Sequence, residues 1–258
     1  MTSRLSTFFK EKRNILSVYL TAGYPELEDT VPLCEMLQNG GADMIEIGFP
    51  FSDPLADGPV IQASSEIALR NGMTLEKLFS QIRSIRKSVS IPLVLMGYIN
   101  PVLQYGMERF VKDAVACGID GVILPDLPTA EFQEHYAAVF KSSGLDFTFF
   151  ITPQTSPERM KLIDSATTGF IYAVSSASIT GSALTMTSDR EKYFSRISAM
   201  KFKSPVLIGF GISDTTTFRK ACDHAHGAIV GSAFIKGLKE ASDKASYVTE
   251  FIRTIRGA

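Results

Sequence analysis

Eight short apolar runs, separated by longer segments with helical periodicity, constrain the fold of this chain more than any other feature. Each run has the length of a strand and is apolar at nearly every position, which is typical of parallel strands covered on both faces. We predict strands at Ile15–Leu20, Met44–Ile47, Leu93–Met96, Gly121–Leu124, Phe147–Ile151, Phe170–Val174, Val206–Ile208 and Ala228–Val230. Amphipathic helices are predicted between them, for example at Arg109–Cys117 and Glu131–Phe140, and a helical segment at Phe234–Ile255.

Strands that alternate with helices predict an α/β fold with a parallel sheet. The chain of 258 residues has the length of one (β/α)₈ barrel and contains no linker-like stretch. We therefore expect residues 1–258 to form a single (β/α)₈ TIM barrel domain. An open doubly wound sheet is the alternative, and eight strands ending in a Gly-rich loop favour closure.

A weak internal repeat marks the entrances of three predicted strands. Gly41-Ala42-Asp43 resembles Gly118-Ile119-Asp120, and Gly227-Ala228 is a fainter copy. Glycine at such a junction fits the carboxyl-terminal cap of a helix.

Charge and cysteine content narrow the classes of function. Twenty-six basic and 27 acidic side chains give a formal charge of -1, which gives no support for a polyanion-binding surface. The three cysteines, Cys34, Cys117 and Cys222, are far apart, so we expect them to be reduced. No apolar run has the length of a signal peptide or membrane span, and we expect a cytoplasmic protein.

Two long connections follow predicted strands, from Gly48 to about Val60 and from Ser175 to about Ser188. In a barrel, both would lie at the carboxyl ends of the strands, where active sites are built.

Glu46 lies inside the apolar run Met44–Ile47. A carboxylate there is costly unless it is paired, hydrogen-bonded or protonated. A structural salt bridge is one interpretation. The other is an acid–base catalyst at the strand's carboxyl end, with its pKa raised towards neutrality by burial.

Three further residues are candidates with structural alternatives. Asp57 is placed to fold over the barrel mouth, or is a turn aspartate before Gly58. Asp126 is a site residue or a cap that leads the following helix. Tyr172 faces Glu46 across the barrel, or is a core tyrosine.

Glycine-bearing segments after the last three strands predict a phosphate site. They are Thr180-Gly181-Ser182, Gly209-Phe210-Gly211 and Gly231-Ser232. None of the three histidines, His135, His224 and His226, ends a predicted strand, which disfavours a metal centre. No lysine lies in or just after a predicted strand, which disfavours a Schiff-base aldolase.

The stretch from Glu46 to Pro59 resembles the signature of tryptophan synthase α subunits, with its core Pro-Phe-Ser-Asp-Pro-Leu-Ala-Asp-Gly-Pro. The resemblance extends over effectively the whole chain. It includes Thr21-Ala22-Gly23-Tyr24-Pro25, Tyr98-Ile99-Asn100-Pro101, Leu124-Pro125-Asp126-Leu127-Pro128, Ile179-Thr180-Gly181, Gly209-Phe210-Gly211-Ile212 and Gly231-Ser232-Ala233.

This resemblance implies a retro-aldol cleavage of indole-3-glycerol phosphate to indole and glyceraldehyde 3-phosphate. Glu46 matches the family's acid–base glutamate, and Asp57 matches the aspartate that stabilises the protonated indole. The positions implied in substrate binding are Tyr98, Asp126, Tyr172, Thr180, Gly181, Phe210, Gly211, Gly231 and Ser232.

The resemblance also implies no metal and no cofactor in this chain. Pyridoxal phosphate belongs to the family's β-subunit partner, which forms an α2β2 complex and for which Asp53-Pro54 is a plausible contact. This chain departs from the family pattern in the loop after the sixth predicted strand. No Arg or Lys follows Gly181 before Arg190, where the family commonly has one, and the difference bears on closure of this loop. Two alternative functions stay open. The chain could be another phosphate-binding barrel enzyme, such as an indoleglycerol-phosphate synthase or a sugar-phosphate isomerase. It could also be a non-catalytic regulator of a β partner.

Overall fold

Eight parallel strands form a closed barrel in the computed structural model, which describes residues 3–175, 188–209 and 211–257. The strands are β1 (Ile15–Thr21), β2 (Met44–Gly48), β3 (Leu93–Met96), β4 (Gly121–Ile123), β5 (Asp146–Ile151), β6 (Ile171–Val174), β7 (Val206–Gly209) and β8 (Gly227–Val230). Each pairs with the next, and β1 pairs with β8. The predicted TIM barrel is confirmed, and the open sheet is excluded because β8 closes onto β1.

Helices surround the barrel. They are α1 (Arg4–Glu11), α2 (Thr30–Gly40), α3 (Pro59–Arg70), α4 (Leu75–Ile82), α5 (Ile99–Tyr105), α6 (Met107–Ala116), α7 (Thr129–Glu131), α8 (Ala137–Ser143), α9 (Pro157–Ala166), α10 (Ser188–Met200), α11 (Thr215–Cys222), α12 (Ser232–Glu240) and α13 (Lys244–Arg256). Within the described residues, none of these helices is long and apolar enough to cross a membrane.

Two predicted helical segments are interrupted. Glu131–Phe140 is not one regular helix, because the π-helical turn Phe132–Tyr136 joins α7 to α8. Phe234–Ile255 divides into α12 and α13, and Asp243 caps the start of α13 by accepting a hydrogen bond from the Ala245 N–H. An aspartate cap starts a new helix, which explains the break.

The barrel has a helix-facing side and an inner side, which alternate along each strand. Phe147 and Phe149 of β5 pack against Phe132 on the outside, so the other side chains of β5 point inward. Following the strand register around the barrel puts Glu46 and Tyr172 on the inner side.

The internal repeat reflects how the strands begin. Gly41 caps α2 with a φ of 102°, and Gly118 follows α6 with a φ of 76°. The predicted cap at Gly227 is wrong, because this residue is the first of β8. A Cβ there would lie 2.1 Å from the carbonyl oxygen of Ile15, so the close pairing with β1 requires glycine.

The aspartates of the repeat hold the amino ends of neighbouring strands. Asp43 accepts a hydrogen bond from the Leu16 N–H at 2.9 Å, and Asp120 accepts one from the Leu93 N–H at 2.8 Å. Each also forms an ion pair with an arginine, Arg256 and Arg86 respectively. These buried charges are therefore paired at the end of the barrel opposite the candidate site.

Candidate active site

Glu46 lies inside the barrel with no exposed surface. Its Oε1 accepts a hydrogen bond of 3.2 Å from the Ser17 hydroxyl, and its Oε2 has no partner among the described residues. Burial raises the pKa of Glu46 from 4.5 to about 8, against a smaller lowering by Ser17. The carboxyl is therefore mostly protonated at neutral pH, and no ion pair to it is found among the described residues.

Asp57 lies in the connection between β2 and α3. The loop folds so that this side chain is only 9% exposed. The Asp57 N–H donates to the Pro54 carbonyl at 3.0 Å, and the Gln62 amide donates to the Asp57 carbonyl at 2.8 Å. Burial raises the pKa of Asp57 from 3.8 to about 6, and a hydrogen bond from Tyr98 partly offsets it. Asp57 therefore remains largely ionised at pH 7.

Tyr98 forms a hydrogen bond with the loop that carries Asp57. Its buried hydroxyl accepts a hydrogen bond from the Ala56 N–H at 2.9 Å and lies close enough to the Asp57 carboxylate to lower its pKa. Its ring also lies 5.3 Å from that of Phe51. The predicted substrate contact by Tyr98 stays a prediction, and the structure joins Tyr98 to the loop that carries Asp57.

Two inward tyrosines, Tyr19 and Tyr172, lie close to Glu46. Burial raises the pKa of both, and the negative charges of Glu46 and Asp57 raise each further. Each ring fills the space beside a glycine: a Cβ on Gly48 would lie 2.0 Å from the Tyr19 hydroxyl, and one on Gly209 would lie 2.3 Å from that of Tyr172. Glu46, Asp57, Tyr19 and Tyr172 therefore form one cluster on the inner side of the barrel, and the space around it is called the chamber.

Of the glycines predicted to bind phosphate, Gly231 lies near this chamber. Gly231 precedes the first residue of α12, Ser232, and no side chain caps this helix. Its backbone packs near Tyr19, since a Cβ on Gly231 would lie 3.4 Å from the Tyr19 Cβ. Gly211 has a φ of 76°, and Thr180, Gly181 and Phe210 lie outside the described residues.

Asp126 is exposed and caps a helix other than the one that follows it. Its two carboxylate oxygens accept hydrogen bonds from the Ile99 N–H, at 3.0 and 3.2 Å, at the start of α5. The predicted cap of the following helix is wrong, because α7 has no side-chain cap and Asp126 caps α5 instead. A substrate contact by Asp126 remains a prediction.

Histidines lie away from the chamber. His226 precedes β8, and its Nδ1 accepts a hydrogen bond of 3.2 Å from the N–H of Val206, the first residue of β7. His224 lies beside it, and His135 is on the exposed π-helical turn. In the described part of the chain, no group of three His, Cys, Asp or Glu side chains could hold a metal ion.

Sequence reasoning did not single out Ser17 or Tyr19. Both are polar residues in the apolar run of β1, at alternate positions, so both point inward. The register places Tyr19 directly beside Glu46. Alternating polar residues in an otherwise apolar strand were the available signal.

Glu46→Gln is expected to stabilise the fold at alkaline pH. The unfolded carboxyl ionises near pH 4.5 and the folded one near pH 8, so the native state holds an extra proton in this window. Stability therefore falls as pH rises from about 4.5 to about 8, and the variant escapes this loss. Urea unfolding should show a gain on the order of 5 kcal/mol at pH 9 and little change at pH 4.5.

Glu240→Gln, at an exposed position, is the matched control and should change stability little at either pH. A Glu46→Gln effect of equal size at pH 4.5 and pH 9 would contradict the raised pKa of Glu46.

Comparison with known proteins now identifies the family. The family model described as tryptophan synthase alpha chain matches residues 5–257. A tryptophan synthase alpha chain of Flavobacterium johnsoniae is 53% identical over 254 residues, which cover 98% of this chain and 100% of that relative. The tryptophan synthase subunit alpha of Legionella pneumophila superposes with a TM-score of 0.90 at 35% identity, covering 100% of this chain and 98% of that one. A tryptophan synthase complex from Pyrococcus furiosus contains a chain with a TM-score of 0.87 at 32% identity, covering 96% of this chain and 99% of that one. The chain belongs to the tryptophan synthase alpha chain family.

Proposed function

We propose that Glu46 and Asp57 do the chemistry of this chain, a lyase of tryptophan biosynthesis that cleaves indole-3-glycerol phosphate to indole and glyceraldehyde 3-phosphate. The observation that carries the proposal is a pair of buried carboxyls, both close to the inward tyrosines Tyr19 and Tyr172. The pKa is raised to about 8 for Glu46 and to about 6 for Asp57. Such a separation suits one acid and one anionic stabiliser.

Glu46 transfers two protons in turn. Protonated Glu46 donates its proton to C3 of the indole ring, which becomes a cationic electron sink. The resulting carboxylate then removes the proton of the hydroxyl on the adjacent carbon. As the C–C bond breaks, its electron pair returns to the ring, indole leaves, and the hydroxyl carbon becomes the aldehyde. Glu46 ends protonated, as it began.

Asp57 stabilises the charge that appears between these two transfers. Protonation at C3 makes the indole N–H strongly acidic and positive, and an ionised carboxylate accepts its hydrogen bond. Tyr98 supports this role because its hydroxyl holds the Asp57 side chain before substrate arrives. A preorganised charge opposite a developing charge contributes more than one that must first reorient.

The substrate phosphate is proposed to bind the backbone N–H groups at Gly211, Gly231 and Ser232, with Thr180, Gly181 and Phe210 from the neighbouring loops. An uncapped helix start is a ready anion site because its first N–H groups have no intrahelical partner. Tyr172 is proposed to contact the indole portion, and Asp126 lies at the rim of the same barrel end.

The family's name and the solved tryptophan synthase complex from Pyrococcus furiosus support a partner subunit for this chain. We propose that this chain delivers indole to a β subunit that carries pyridoxal phosphate, within an α2β2 assembly, and that the chemistry in this chain uses side chains without a metal or organic cofactor. Asp53 is exposed and Leu55 is 88% exposed, so the loop that carries Asp57 is available for such a contact.

Release of indole from indole-3-glycerol phosphate, measured with and without a β subunit, tests the proposal. Indole and glyceraldehyde 3-phosphate should appear in equal amounts. Absence of cleavage under both conditions would leave a regulatory subunit as the better account. Turnover of a different phosphorylated substrate would favour another phosphate-binding barrel enzyme.

The pH dependence of kcat/KM should be bell-shaped. Activity requires ionised Asp57 and protonated Glu46, so the rate should rise through pH 6 and fall above pH 8. The alkaline limb is the one that tests Glu46 cleanly. The acid limb is also affected by the substrate phosphate, which ionises near pH 6. Steady-state indole release between pH 5 and pH 9.5 measures both limbs, and a rate that stays flat to pH 9.5 would contradict the assignment of Glu46.

A further inference from the structure

Ser17 places a hydroxyl group inside the barrel beneath the candidate catalyst. The side chain is fully buried in β1, between the outward-facing Leu16 and Val18. A buried hydroxyl needs a hydrogen-bond partner, and this one donates to Oε1 of Glu46 at 3.2 Å. The strand register pairs Ser17 with Met44, one inward position before Glu46. The hydroxyl therefore approaches the carboxyl from the amino-terminal side, away from the barrel mouth.

The two oxygens of Glu46 consequently differ. Oε1 is occupied by Ser17, whereas Oε2 is buried and has no hydrogen-bond partner among the residues that the structure describes. The last torsion of a glutamate side chain is broad, so a carboxyl without a partner would sample many orientations. One hydrogen bond to Oε1 restricts that rotation and defines where Oε2 lies.

We propose that Ser17 is a positioning residue, whose hydroxyl holds Oε1 of Glu46 so that Oε2 exchanges both protons with the substrate. The inference rests on the proposed role of Glu46 in cleavage. A serine suits the task because its hydroxyl can donate to Oε1 both when Glu46 is ionised and when the proton lies on Oε2. The contact therefore persists while Glu46 loses and regains its proton, and the reacting oxygen keeps its place.

Ser17→Ala tests the proposal through the rate and its pH dependence. Loss of the hydrogen bond should lower kcat roughly ten-fold, with KM changed less than about two-fold, because positioning of Oε2 affects the reaction rather than substrate binding. The alkaline limb of the pH profile should move up by about one pH unit, since the removed bond favours the ionised form. A purely structural role would leave that limb in place.

Ser17→Thr and Ser17→Val form a matched pair of almost equal volume. Threonine keeps the hydroxyl and should retain the wild-type alkaline limb, whereas valine should show the shift of Ser17→Ala. An identical alkaline limb in the threonine and valine variants would overturn the proposal, and so would an unmoved limb in Ser17→Ala.

A second measurement separates this inference from the proposed function. The carboxyl carbon of Glu46, labelled with ¹³C, can be titrated by NMR without substrate in the wild type and in Ser17→Ala. The titration midpoint should rise in the variant. An unchanged midpoint overturns the Ser17 inference alone, provided that Glu46→Gln is inactive. If Glu46→Gln still cleaves, the role of Glu46 falls, and the proposal about Ser17 falls with it.

Discussion

Glu46→Gln should reduce indole release roughly 10³-fold or more, the largest effect expected of any single substitution here. The amide has nearly the shape of the carboxyl, but it can neither protonate C3 of indole nor remove the hydroxyl proton. Substrate binding should change little, because the neutral carboxyl that predominates at pH 7 is replaced by a neutral amide. Single-turnover cleavage and the binding of a non-cleavable analogue without the glycerol hydroxyls measure the two effects separately.

Asp146→Asn is the matched control for Glu46→Gln. Like Glu46, Asp146 has a buried carboxyl on the inner side of the barrel, and burial raises its pKa to about 6. It lies at the amino end of β5, where the side chains of Ser3 and Thr168 partly offset the effect of burial on its pKa. Its substitution should leave cleavage within a few fold of the wild type. Near-normal indole release by Glu46→Gln would assign the acid–base role to another group.

Asp57→Asn should slow cleavage roughly 10²- to 10³-fold while leaving KM nearly unchanged. The amide keeps the shape of the side chain but removes the negative charge that faces the protonated indole, a loss comparable to that of one oriented transition-state partner. The Tyr98 hydroxyl can still donate to the amide oxygen, so the loop should keep its conformation. Steady-state kinetics, with circular dichroism as a check of folding, measures the effect.

Asp53→Asn provides the control in the same loop. Asp53 is exposed, and its carboxylate accepts a hydrogen bond from Ser52 at 2.5 Å. Assayed without a β subunit, this variant should keep the wild-type rate. If Asp57→Asn also keeps it, Asp57 is a turn residue rather than a participant in the reaction.

The strands were predictable because burial on both faces makes parallel strands apolar along their whole length. All eight predicted runs are strands, with ends that differ by about one residue, for example β1, which extends to Thr21. Helix interruptions were harder to predict. The π-helical turn Phe132–Tyr136 leaves the apolar pattern of its segment almost unchanged, so periodicity does not reveal it.

The candidate site was predictable from the sequence where the polarity of a residue differs from that of its neighbours. Glu46 stands out as a carboxyl in an apolar strand, and the loop motif around Asp57 is distinctive. Ser17 did not stand out, because its importance depends on a partner 29 residues away on the neighbouring strand. That contact is set by the strand register, which a single sequence does not specify.

Titration of the Glu46 carboxyl carbon by ¹³C NMR tests the central claim most directly. The signal is assigned as the one that is lost in Glu46→Gln, and the protein is studied alone and without substrate. Burial of this carboxyl predicts a midpoint near pH 8 that coincides with the alkaline limb of kcat/KM. A midpoint near 4.5 would contradict the account, because the carboxyl would then be ionised at neutral pH and have no proton to give to the indole ring.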